Sequence, residues 1–385
     1  MIPRAVTEKV LSYAAQYPVV TITGPRQSGK TTLSMMLFPD KPYISLESLD
    51  DRTFAKTDPR GFLSNYPGGV ILDEIQHVPE LLSYIQTIVD KLRKNGMFIL
   101  TGSRQFEVMD YVNQTLAGRT ALVKLLPFSF NEISSLTEPV SLDKLIYTGF
   151  YPRIYDQHLD PTEAMSFYVS AYVERDVRSL LNIRDLSSFN IFLKLCAGRT
   201  GQILNMRSLG NDCGINHNTV KAWLSVLEAG YIIKILRPYY KNFNKRLVKA
   251  PKLYFIDTGL AAYLLGITSP EQVQTHPLRG ALFETFVVAE LLKNRFNSGA
   301  QDNLYYFRDS NGNEIDLIID HGATVDLVEI KASQTVAVDF FKGFRYYAGL
   351  GGAIAKSYLI YGGEGVKRQY GVDVLGWREF STRVI

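Results

Sequence analysis

At 385 residues the chain is too long for one comfortable core, so two or three domains are expected, and 46% apolar with 21% charged residues is the balance of a folded globular protein, not of a disordered or fibrous one. A net charge of +4 leaves the question of partners to local charge clustering. Two cysteines, Cys196 and Cys213, make neither a disulfide framework nor a zinc site by themselves. MIPRAVTEKVLSYAAQYP lacks the apolar core of a signal peptide, and no apolar run reaches spanning length. A cytoplasmic protein with no membrane partner is expected.

In chain order, Val19–Thr23 is a short β-branched run that predicts a strand, and TTLSMMLF after it predicts a helix. PYISLES, GGVILDE and GMFILTGS predict further strands. Between the last two, Leu82, Ile85, Ile88, Val89 and Leu92 recur at helical spacing, with Gly96 placed to cap the helix. Strands alternating with helices predict an α/β domain with a parallel sheet covered on both faces. From about Leu142 to Leu195 the pattern is mainly helical and rich in aromatics.

The stretch Gly24-Pro25-Arg26-Gln27-Ser28-Gly29-Lys30-Thr31 fits G-x-x-x-x-G-K-[ST] between a strand and a helix. Glycines let successive N–H groups turn toward phosphate, and the following helix presents its positive end to the same anion. With Thr32, these residues are the expected ATP contacts. Lys30 is expected to reach the β- and γ-phosphates, and the Thr31 hydroxyl to ligate Mg²⁺. Val70-Ile71-Leu72-Asp73-Glu74 supplies acids at the end of a buried strand. Asp73 is expected to hold Mg²⁺ through water and Glu74 to act as general base. Phe98–Arg104 is a further apolar run ending in small polar residues. This order resembles the AAA+ branch of P-loop ATPases, and the resemblance gives the sensor role to Ser103 or, as the alternative, Thr101. Arg104, Arg119 and Arg153 are candidates for an arginine finger, among which sequence does not choose.

MRSLGNDCGINHNTVKAWLSVLEAGYI resembles a helix-turn-helix, with Gly214 at the turn and Val220, Trp223, Leu224 and Leu227 as the apolar stripe. YIIKILRPYY and PKLYFID predict two strands of a wing. Between Ala229 and Ile256 stand Lys234, Arg237, Lys241, Lys245, Arg246, Lys249 and Lys252 with no acid, leaving the remainder of the chain at about −3. Interleaved with Tyr239, Tyr240 and Phe243, the segment 234–252 suits DNA or RNA phosphates, with His217, Asn218 and Lys221 as contacts on the helix. The alternative is a spacer that contacts other parts of the protein.

GNEIDLIIDHGATVDLVEIKAS predicts a hairpin closed by His321–Thr324. In that register Asp316 faces Glu329, and Lys331 shares their face. This resembles the D-(x)n-E-x-K constellation of PD-(D/E)xK nucleases, in which two carboxylates hold a divalent metal and the lysine orients water. Glu284, in the apolar stretch LFETFVVAELL, is a candidate third carboxylate. The leading proline-aspartate is replaced by Glu314-Ile315-Asp316, and a cross-strand ion pair without chemistry is the alternative.

GPRQSGKTTL, VILDEIQHVPEL, ILTGSRQF, LAGRTALVKLLPFSFNE, SAYVERDVRSL, PKLYFIDTGL, LFETFVVAELL, YYFRDSNGNEIDLII and VEIKAS together resemble the prokaryotic AAA-type ATP-binding proteins with a C-terminal domain of unknown function. The resemblance implies a P-loop ATPase domain over 1–135, a helical lid or connector over 136–195, a winged-helix-like segment over 196–270 and a nuclease-like α/β domain over 271–385. The expected function is a Mg²⁺-dependent ATPase coupling nucleotide state to its C-terminal domains. An ATP-regulated nuclease and a nucleotide-gated scaffold without catalysis are the alternatives. Intact Glu74 favours hydrolysis, while Glu329 and Lys331 keep the nuclease reading open.

Overall fold

The structure is a computed structural model describing residues 2–103, 114–134, 140–173, 186–240 and 248–382. Val19–Thr23 forms β1, with every residue buried. It is flanked by β4 (Phe98–Gly102) and β5 (Thr120–Lys124), and β2 (Tyr43–Ser45) and β3 (Val70–Asp73) extend the sheet in the order β2-β3-β4-β1-β5, all parallel. Side chains alternate across the strands. Val19, Leu72 and Leu100 enter one core with Leu82, Ile85 and Val89 of α5 (Leu81–Leu92). Val20, Ile22, Ile71 and Ile99 enter the other, with Val10 of α1 (Thr7–Gln16) and Leu33 of α2 (Lys30–Leu37). Burial on both faces explains why β1, β3 and β4 read as buried apolar runs.

The expected cap at Gly96 is corrected. Arg93 takes the left-handed conformation at the end of α5, its N–H donating to Val89 O at 2.9 Å. Gly96 serves the turn into β4 instead. Its φ is +64°, and a Cβ there would stand 2.8 Å from Ala14 O. Leu92, counted in the apolar stripe, is 53% exposed.

The chain divides into two compact units. The first comprises residues 1–128 with 229–231 and 295–300, and the second comprises 129–228, 232–294 and 301–385. The described part of 142–195 is helical, as expected, ending in Leu186–Ala197. There Phe189 and Phe192 pack edge-on against Trp223 at 5.3 and 5.1 Å. Trp223, Val220, Leu224 and Leu227 are all buried on the helix His217–Ala229. The preceding helix Met206–Cys213 ends on Gly214, left-handed at φ +68°. Strands β6 (Gln202–Ile203), β7 (Ile233–Leu236) and β8 (Lys252–Phe255) form an antiparallel sheet in the order β6-β8-β7.

A long helix, Arg279–Asn297, precedes strands β9 (Leu304–Arg308), β10 (Glu314–Asp320) and β11 (Val325–Lys331). A short helix, Lys342–Ala348, then leads to β12 (Ile354–Tyr361), parallel to β11. His321 N donates to Thr324 O at 3.0 Å, closing the expected turn. The β10–β11 ladder pairs Leu317 with Val328 and Ile318 with Leu327, and the same register carried one residue on sets Asp316 opposite Glu329. Pairing with β9 shifts register between Ile315 and Ile318, the stretch that contains Asp316.

Candidate functional site

The loop after β1 lies close against the chain that follows β5. A Cβ on Gly24 would stand 2.0 Å from Leu125 O, so only glycine fits. Arg4, itself buried, donates to Ser28 O at 2.6 Å and Leu126 O at 2.7 Å, pinning the loop from a distant point in sequence. Gly29 is left-handed at φ 92° where the loop enters α2. Lys30 folds over the loop, its ammonium donating to Gly24 O at 3.0 Å and Pro25 O at 2.8 Å. Ser28 Oγ is buried without a hydrogen-bond partner. Arg26 stands 3.8 Å from Glu47, and Thr32 is exposed on the first turn of α2.

The acids at the end of β3 meet this loop. Thr31 Oγ donates to Asp73 Oδ2 at 2.8 Å, joined there by the Tyr43 hydroxyl at 2.7 Å. Thr101 donates its hydroxyl to Asp73 Oδ1, and Ser103 donates its own to Glu74 Oε2 at 2.8 Å. The two hydroxyls considered for the sensor role thus serve different acids. Gln76 Nε2 also donates to Glu74 Oε2. Glu74 has left-handed backbone, φ 53° and ψ 50°, a conformation that non-glycine residues seldom adopt and that clusters at working sites. Burial alone would push its carboxyl up; Lys30, then Gln76 and Ser103, outweigh burial and hold it below the ordinary carboxylate range. The carboxylate is therefore ionised and fixed in place.

These residues fit a nucleotide with a divalent cation. The Thr31 hydroxyl and the Asp73 carboxylate already meet, and the Lys30 ammonium rests on carbonyls it can exchange for phosphate. Of the arginine candidates, Arg119 grips Asp90 through two hydrogen bonds of 2.6 and 2.9 Å, and exposed Arg153 bonds Gln157 at 2.9 Å. Arg104 lies outside the described residues.

In the second unit, Glu284, Asp316, Glu329 and Lys331 do come together. Lys331 Nζ stands 2.7 Å from Glu329 and 3.1 Å from Asp316, whose Oδ2 also accepts from Ile330 N at 2.8 Å. The sequence pattern missed three further members. Lys252, from β8, reaches Glu284 at 3.0 Å and Glu314 at 2.5 Å, and Tyr254 donates its hydroxyl to Glu284. Gly343 lets the short helix 342–348 close over the cluster, since a Cβ there would lie 2.8 Å from Glu314 O and 3.4 Å from Glu329 Oε2. Burial and the neighbouring Asp316 charge push Glu329 up to about 8, against the pull of Lys331. Among the described residues no three His, Cys, Asp or Glu side chains converge to hold a metal ion. The expected second metal site therefore has its carboxylates gathered but facing lysines.

Two lysines of the basic segment are engaged by carboxylates. Lys252 is 3% exposed and committed to carboxylates, and Lys234 pairs with Asp302. Arg237 and Lys249 are exposed, whereas Lys241, Lys245 and Arg246, with Phe243, lie outside the described residues. His217, Asn218 and Lys221 are exposed on the helix that begins at His217, where Asn216, His217, Asn218, Thr219, Ala222 and Trp223 line an open depression of about 600 Å³.

Residues 16–134 match the family described as AAA domain. Residues 140–271 and 279–380 match two domains of unknown function, DUF8612 and DUF4143. The AAA match covers the parallel sheet β1–β5 and the loop Gly24–Thr31. Uncharacterised proteins of Mycobacterium bovis and Mycobacterium tuberculosis are each 28% identical over 324 residues, 83% of this chain and 72% of theirs. Among solved structures, a Walker-type ATPase of Pyrococcus abyssi is 16% identical, covering 67% of this chain and 94% of its own, with a TM-score of 0.43. The RuvB Holliday junction branch migration motor of Thermotoga maritima is 19% identical, covering 61% and 90%, with a TM-score of 0.30. Among the described residues no helix is long and apolar enough to cross a membrane.

Proposed function

We propose that this protein is a Mg²⁺-dependent ATPase whose nucleotide state regulates its C-terminal segments. The observation that carries the reading is the meeting of Thr31 with Asp73 at 2.8 Å beside a Glu74 held by Ser103 and Gln76. Backbone N–H groups of residues 24–32 bind the phosphates, and Lys30 leaves the carbonyls of Gly24 and Pro25 to meet them. Thr31 and Asp73 are the residues that would hold Mg²⁺, which supplies charge neutralisation on the phosphates when bound. Glu74 accepts a proton of the attacking water as the water oxygen bonds the γ-phosphorus and the bond from that phosphorus to the β–γ bridging oxygen breaks, so that ADP leaves with the bridging oxygen and phosphate is released. Ser103 fixes which oxygen of Glu74 is free to do so.

The test is phosphate release with Mg²⁺-ATP against ATP in EDTA. Hydrolysis that needs Mg²⁺ and disappears in Lys30→Ala supports the reading; equal release by Lys30→Ala would refute it.

The C-terminal segments are assigned by the same reasoning. The order long helix, β9, β10, β11, short helix, β12, with Asp316 and Glu329-x-Lys331 on adjacent strands, supports a PD-(D/E)xK nuclease-like fold that does not itself cleave. The two helices before and after Gly214, backed by the β6-β8-β7 sheet, support a winged-helix-like segment. Contact of that segment with DNA or RNA phosphates is favoured by exposed His217, Asn218, Lys221, Arg237 and Lys249. Filter binding across a salt series tests it, and absence of binding at low salt would leave the segment a spacer.

A further inference from the structure

The carboxylates of the C-terminal cluster face an ammonium group that the nuclease-like pattern does not contain. Lys252 belongs to β8, in the segment matched by DUF8612, whereas Glu284, Glu314, Asp316 and Glu329 belong to the segment matched by DUF4143. All lie within the second compact unit. Lys252 is 3% exposed, and its Nζ stands between Glu284 Oε1 at 3.0 Å and Glu314 Oε1 at 2.5 Å. Its ammonium also lies over the Tyr306 ring, 5.5 Å from the centroid. Glu284 Oε1 accepts from Tyr254 as well, so the candidate third carboxylate is already engaged by two donors. Lys331 fills the space between Asp316 and Glu329.

A lysine this deeply buried requires counter-charges, and a cluster of carboxylates requires a cation. Each need meets the other here. A divalent ion would have to displace two ammonium groups, and Lys252, 3% exposed, would then be left buried without its counter-charges.

We propose that two lysines are the resident cations of this cluster in place of a divalent metal, Lys331 between Asp316 and Glu329 and Lys252 between Glu284 and Glu314, so that the nuclease-like constellation works as an ion-pair latch joining β8 to the long helix and β10. This rests on reading the C-terminal fold as nuclease-like. Lys252 supplies the charge from outside that fold, and the latch fixes the helix-turn-helix segment to it through β8. Glu329 Oε2, buried without a hydrogen-bond partner, is the acceptor left over once the two lysines have taken their places.

The test is Mn²⁺ binding to the full-length, nucleotide-free protein, followed by electron paramagnetic resonance of free Mn²⁺. Comparison between variants cancels any contribution from the P-loop. The wild type and Asp316→Asn are expected to titrate alike, because the cluster takes no metal. Lys252→Met is expected to gain a site roughly tenfold or more tighter than any in the wild type. That site should be lost again in Lys252→Met with Glu284→Gln, since Glu284 is the carboxylate Lys252 leaves exposed to a cation. A wild-type Mn²⁺ site that disappears in Asp316→Asn overturns the latch, and this comparison decides the matter even where Lys252→Met fails to fold. Mn²⁺-dependent cleavage of DNA by the wild type, lost in Asp316→Asn, overturns the latch while upholding the nuclease-like fold. Lys252→Met that folds, by circular dichroism and thermal midpoint, yet gains no Mn²⁺ overturns both.

Discussion

Two carboxylate sites in this chain solve the same electrostatic problem in opposite ways. At the end of β3, the hydrogen bonds to Asp73 and Glu74 described above come from neutral donors, namely the hydroxyls of Thr31, Tyr43, Thr101 and Ser103 and the amide of Gln76, while the Lys30 charge acts on Glu74 through its field. Hydroxyls and amides orient a carboxylate without cancelling its charge, which is what a proposed cation site requires. In the second unit, Glu284, Glu314, Asp316 and Glu329 are held by Lys252, Lys331 and Arg308, which cancel charge directly. Acidic residues alone do not define a cation site; the charge of their partners decides whether the appetite for a cation remains.

The sharpest way to break this contrast is Glu74→Gln. Retained nucleotide binding with hydrolysis slowed roughly 10²- to 10⁴-fold is expected, since only the proton acceptor is lost. Single-turnover phosphate release measures it, and unchanged turnover would mean another group handles the water.

On the opposite side, Lys252→Met leaves Glu284 without its cation and Glu314 with Arg308 alone. A loss of roughly 3–5 kcal/mol in urea unfolding is expected. Glu284→Gln added to it should restore part of that loss, because one uncompensated charge is then removed. Equal stability of Lys252→Met and wild type would show that the ammonium is not needed.

Tyr43→Phe removes one neutral donor from Asp73. Its effect should be smaller, about 1 kcal/mol in affinity for an ATP analogue. Calorimetry with Mg²⁺ and with EDTA separates the causes, since a loss acting through Asp73 should vanish when the metal is withheld.

Smallest is the expected change from Arg237→Gln or Lys249→Gln. If the helix-turn-helix segment binds duplex DNA through phosphates, each should lower the slope of log affinity against log salt by roughly 0.9. An unchanged slope in both would remove these residues from the interface.

Much of this was legible in the residues. Val19–Thr23, Val70–Asp73 and Phe98–Gly102 read as buried parallel strands because both faces are covered, and the P-loop between β1 and α2 carries its spacing in plain view. The hairpin register was legible too, because strand alternation and the turn His321–Thr324 fix which residues share a face. Helix ends were less so. Arg93 and Gly96 both adopt positive φ, and only the close approach of Ala14 O marks the second as the position that requires glycine.

What sequence did not reveal are partners that arrive from far along the chain. Arg4 reaches Ser28, and Tyr43 reaches Asp73 across 30 positions, from strand β2 beside β3. Lys252 stood in a basic run that suggested solvent and nucleic acid, yet the pairing of β8 with β7 carries it into the second unit's interior beside Glu284. Local spacing determines which side chains share a strand or a helix, and it determined the P-loop, its acids and the Asp316–Glu329 pair. Which cation answers those carboxylates depends on strands brought together by burial of their apolar faces, and only the tertiary structure decided that.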